Sequence, residues 1–136
     1  MITILALFLA IGDISGIKSE PNLEHRSDLA IDNADRAIDA ARADYQAGDM
    51  AKTIDALNEV RDSVNLALES LDSSGKQPRS NSHYKHAEQR VHKMIRRLST
   101  FRDEMSVDDR KPADDVIARL QDVHDRLLTE IMSKKR

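Results

Sequence analysis

From about residue 20 onward, apolar side chains recur every third or fourth position, the period of a helix half-buried in a core. Leu23, Ala30, Ile31, Ala34, Ile38, Ala41 and Tyr45 fall on one face of a first stripe. Ser19, Glu20 and Pro21 make a helix start, because proline is tolerated in the first turn. Gly48 ends that stripe, and Asp49 is placed to cap the next. The second stripe runs through Ile54, Leu57, Val60, Val64, Leu68 and Leu71. A third, with Tyr84, Ala87, Val91, Met94, Leu98, Phe101 and Met105, is close to the 3-4 spacing of a heptad. The fourth carries Ile117, Leu120, Val123, Leu127 and Ile131, with Asp108 or Asp109 as candidate caps ahead of Pro112.

This pattern predicts helices over about 20–46, 50–72, 82–105 and 112–133. One stretch, "DSSGKQPRSNS" (72–82), reads as a linker, with Gly75, Pro78 and four serines. Four helices of similar length on short connections make an all-α domain over 20–136, expected as an up-down-up-down four-helix bundle. Each helix then buries its stripe along ~35 Å. The alternative is two long hairpins, 20–72 and 82–133, hinged at the linker or exchanged between two chains of a dimer.

The opening "MITILALFLAIGDISG" breaks the pattern, being apolar from residue 2 to 11 except for Thr3. Ten residues of helix span ~15 Å, half of a ~30 Å hydrocarbon core, so no transmembrane segment is expected here. Residues 1–12 read instead as the apolar region of a signal peptide, with Ala10 and Gly12 ahead of a cut near Asp13 and a linker over 13–19. No Lys or Arg precedes the run, and the competing reading is a first helix tucked into the core. The expectation is export, to the periplasm.

Composition narrows the chemistry. The chain has no cysteine, which removes disulfides, thiolate metal sites and cysteine nucleophiles. Two Tyr, two Phe and no Trp leave no platform for stacking bases, and a net charge of −3 does not recommend nucleic acid as a partner. No Gly-x-Ser-x-Gly elbow or phosphate-cradling glycine loop occurs. None of the seven glutamates is followed three residues later by histidine, so a carboxylate di-iron site is not encoded. No enzyme activity and no cofactor are expected.

Charge is segregated along the chain. Residues 20–72 hold thirteen acids and five Lys or Arg, whereas 75–102 hold eight Lys or Arg and one acid, Glu88. The third helix, "HYKHAEQRVHKMIRRL" (83–98), therefore sets Lys85, Arg90, Lys93, Arg96 and Arg97 on its outward arc with His86 and His92. Either acids of flanking helices pair with the arc's edges, or its centre faces an anionic polymer or acidic protein. Arg102 falls near the apolar stripe and is placed to reach a carboxylate at the end of the bundle. His83 and His86, at i and i+3, are too few to close a structural metal site. His124 lies on the apolar arc of the last helix, level with Met94 in an antiparallel arrangement. An inward His–Met pair is one way for a bundle interior to hold haem.

"ADYQAGDMAKTIDAL" (43–57) resembles the helix–turn–helix of a tetratricopeptide repeat, over one turn only, and implies no peptide-binding residues here. With "YQAGD", "HYKHAEQR" and "DRKP", residues 20–136 also resemble small exported bacterial helical proteins of unassigned activity. The functional expectation is a scaffold, adaptor or envelope-associated binding protein, monomeric or dimeric. Its partner would be an unidentified protein or an anionic envelope polymer, met by the basic face of the third helix. The alternative is a ligand or cofactor carrier using the interior near His124.

Overall fold

The computed structural model describes residues 14–133, so the export signal expected over 1–12 lies outside the described residues. The chain is all-α: α1 (Ile14–Lys18), α2 (Leu23–Gln46), α3 (Met50–Ser73), α4 (Ser82–Glu104) and α5 (Lys111–Met132). A 3-10 turn, Val107–Asp109, precedes α5, and no strand occurs among the described residues.

Helix α1 occupies part of the stretch read as a linker. Five residues are too few to display a period, but Ile14 and Ile17, three apart, pack on the core. The Ser19 hydroxyl closes the turn by donating to the Gly16 carbonyl at 2.6 Å. The start of α2 also lies later than expected. Asn22 is extended (φ −78°, ψ 110°), and its side chain accepts from the His25 N–H at 3.0 Å, so the cap is Asn22 rather than Ser19.

Between α2 and α3, Gly48 takes φ +79°, a conformation that costs glycine nothing. Asp49 then caps α3 by accepting from the Lys52 N–H at 3.0 Å. At the other end, Asp108 and Asp109 do not cap α5. They lie in the 3-10 turn, Arg110 occupies the cap position without a side-chain capping bond, and Asp109 accepts from the Tyr45 hydroxyl at 2.9 Å.

The apolar stripes meet in one interior. Phe101, Ile31, Ile38, Leu57, Leu71, Met94, Leu98, Leu120 and Leu127 are all under 2% exposed. Helix α2 approaches α3 most closely, because Ala30, Ala34, Ala37 and Ala41 are fully buried and leave no side chain to hold it off. In that seam Asn33 donates to Ser63 Oγ at 2.9 Å and to Glu59 Oε2 at 2.7 Å. Helix α4 packs along α5, and the two pairs join through α2 against α4 and α3 against α5. Helices α3 and α4 touch little and lie across the core from one another.

A tyrosine closes each end. Tyr84, 3% exposed at the start of α4, donates to the Leu71 carbonyl near the end of α3 at 3.0 Å and so fixes the linker's exit. Burial, helped by the nearby Asp72 charge, pushes its pKa up to about 12. Tyr45, at the end of α2, meets Phe101 edge-on at 5.8 Å and accepts from the Ser106 N–H at 2.9 Å.

Candidate functional site

Helix α4 buries Tyr84, Ala87, Val91, Met94, Leu98 and Phe101, and its remaining positions divide into two flanks and a crest. On the flank toward α2 stand His83, Arg90 and Arg97, one heptad apart. Helix α2 faces them with Asp28, Asp32, Asp35 and Asp39, spaced four, three and four. His83 Nδ1 lies 3.2 Å from Asp28. Arg90 donates from Nε to Asp35 at 3.1 Å and from Nη2 to the same carboxylate, while its Nη1 lies 3.1 Å from Asp32. Arg97 Nη1 donates to Asp35 at 2.9 Å and Nη2 to Asp39. Asn81 with Glu24 adds a rung below, and Arg42 with Glu104, at 3.2 Å, one above.

Residue numbers rise together on the two sides of this ladder, so α2 and α4 run in the same direction. The ladder fixes which flank of α4 faces α2, and its partly buried Arg90 pairs contribute more than exposed pairs would. Burial opposes the charge on Arg90, yet Asp35 and Asp32 hold its pKa above the ordinary arginine value. Two of the five cations expected on an open face are thus tied down by their own chain: Arg90 and Arg97 belong to the α2 seam.

The crest is what remains. Lys85, Lys93 and Arg96 are exposed, and none has an ion pair among the described residues. Gln89 and His92 lie between them, also exposed, and His86 Nε2 sits 3.4 Å from Arg90 Nη1. Lys85 and Arg96 are eleven residues apart, ~16 Å along the axis. Three cations over that length lie within about two Debye lengths of one another at 0.1 M salt and attract a long anion jointly.

The flank toward α5 holds His124. Its Nε2 lies 2.7 Å from Glu88 Oε2, and its ring sits 5.3 Å from that of His92, tilted by 36°. The side chain is 16% exposed, at the seam of the two helices. Met94 is 0% exposed in the core. In this arrangement the His124 imidazole is engaged at the seam by Glu88, from the α4 flank, while Met94, considered with it as a haem ligand pair, lies in the core. Further along the same seam, Arg102 donates to Asp114 at 2.8 Å and to Asp103 at 3.1 Å. Among the described residues no three His, Asp or Glu side chains are grouped to hold a metal ion.

Two features escaped the sequence reading. The α2 aspartates alternate four and three apart beside an alanine stripe, a signal that could have paired them with His83, Arg90 and Arg97. On α3, Asp55, Asp62 and Glu69 recur every seventh residue and are all exposed, which makes an acidic crest opposite the basic one. No protein-family model, curated protein or solved structure matches the chain. No helix among the described residues is long and apolar enough to cross a membrane.

Proposed function

We propose that this chain is an exported, up-down-up-down four-helix bundle that acts without catalysis, by surface contact, as a scaffold, adaptor or envelope-associated binding protein. The contact is made by the α4 crest, Lys85, Lys93 and Arg96, with a partner that presents a row of negative charge. One observation carries this reading: these three cations are exposed and have no ion pair among the described residues, while their neighbours Arg90 and Arg97 are held by α2 carboxylates. The bundle topology is supported by α2 and α4 running in the same direction. Arg119 to Asn65 at 2.8 Å and Arg126 to Asp72 give the same sense for α3 and α5. Export is supported by the apolar run at 2–11.

The test uses poly-L-glutamate as a linear polyanion against the full chain. Binding should weaken steeply with salt. Lys85→Glu, Lys93→Glu and Arg96→Glu together should weaken it at least about tenfold, because three exposed pairs at ~0.5 kcal/mol each reach the 1.4 kcal/mol of one decade. Arg97 is left intact because changing it would cut the α2 ladder. Equal affinity of the triple variant and the parent removes the crest as the contact surface.

A further inference from the structure

We infer that the α4 crest pairs with the acidic α3 crest of a second copy of this chain, so that bundles associate head to tail. The inference rests on the α4 crest being a contact surface and names what meets it.

Three observations support it. Helix α3 carries an exposed acid at every seventh position, Asp55, Asp62 and Glu69. Asp55 and Glu69 have no ion pair among the described residues, and Asp62 is shared only with its neighbour Arg61, at 3.0 Å. The acid row spans fourteen residues, ~21 Å, and the basic row eleven, ~16 Å, so the basic row fits within the length of the acid row along straight helices.

The two rows also lie on opposite sides of the molecule, because α3 and α4 face each other across the core and each packs against α2 and α5. One copy therefore cannot satisfy its own crests. Two copies can satisfy one pair and still present one free acidic and one free basic crest. Such a contact is heterologous, with no closing two-fold axis, and it propagates in a line. Neither crest is apolar, and the interface is held by charge alone, so association is weak and confined to low salt. The remaining acids of α2 near the basic crest do not block the approach, since Asp28, Asp32, Asp35 and Asp39 are already engaged by His83, Arg90 and Arg97.

Sedimentation velocity on the full chain tests this. At low salt the weight-average sedimentation coefficient should rise with concentration, and salt near 0.5 M should return it to the monomer value. Two variants, one with Asp55→Lys, Asp62→Lys and Glu69→Lys, the other with Lys85→Glu, Lys93→Glu and Arg96→Glu, should each stay monomeric at low salt. Mixed in equal amounts they should associate again, because each restores the charge its partner has lost. Circular dichroism on both variants confirms that helicity is retained, and these crest positions are exposed in the parent. A parent that is monomeric at low salt overturns the inference, and so does a mixture that stays monomeric. Poly-L-glutamate binding by a monomeric parent would leave the contact surface standing and assign it to a different acidic partner.

Discussion

Replacing Arg90 with alanine probes the ladder that joins the two helical hairpins. Arg90 is 25% exposed and meets Asp35, itself 28% exposed, and Asp32, 49% exposed. Hydrogen bonds to charged groups contribute about 1.5–3 kcal/mol when buried, while exposed ion pairs contribute at most about 1 kcal/mol. At a quarter exposure the loss falls between these limits, about 1.5–2 kcal/mol. Part of it comes from the Asp35 carboxylate, which keeps only Arg97. Lys93→Ala, on the crest of the same helix, should cost within about 0.5 kcal/mol. Urea denaturation followed by far-UV circular dichroism reads both, and Arg90→Ala should lower the midpoint by about 1 M with an unchanged slope. In a double-mutant cycle with Asp35→Ala the coupling should exceed about 1 kcal/mol. If Arg90→Ala is no worse than Lys93→Ala, or the coupling is nil, the ladder does not hold the helices and the division of α4 into flank and crest fails.

Tyr84 gives a pH signature. Its folded pKa, about 12, lies above the ordinary 10.0, so its contribution is complete below pH 10 and is lost as pH rises through 12. Two units correspond to about 2–3 kcal/mol, and alkaline denaturation of Tyr84→Phe should lack that part of the decline seen in the parent. Near neutral pH the same variant should lose about 1 kcal/mol, because the Leu71 carbonyl loses its donor. Leu98→Ala, at a fully buried position, should cost 2–5 kcal/mol by thermal or urea denaturation, against almost nothing for Val107→Ala at 74% exposure. Gly48→Ala should cost about 1 kcal/mol in the same assay. No atom lies within 4 Å of the added carbon, so the penalty is the positive φ alone.

The helical periods were legible because each stripe, such as Val91, Met94, Leu98 and Phe101, is long enough to repeat several times. Caps with one competent side chain, such as Asp49 before Lys52, were legible as well. Helix α1 was not, since five residues hold barely more than one turn and Ile14 and Ile17 look alike in a turn or a helix. The start of α2 was misplaced because Ser19 and Asn22 are equally good caps on paper, and the Asn22–His25 bond decides between them.

The cations of α4 were visible as a group, but their division was not. Whether Arg90 or Lys93 meets an acid depends on which helix lies beside it and in which direction, and a period along one helix carries no such information. His124 illustrates the same point. A helical period alone sets it near the apolar arc, but Glu88 on a neighbouring helix meets its imidazole at the seam.

The most direct test of the account is a residue-resolved NMR titration of the full chain with poly-L-glutamate at low salt. Shifts at Lys85, Lys93 and Arg96, with the side chains of Arg90 and Arg97 unmoved, are what the account predicts. Shifts centred on Arg90 and Arg97, or none anywhere on α4, would contradict it.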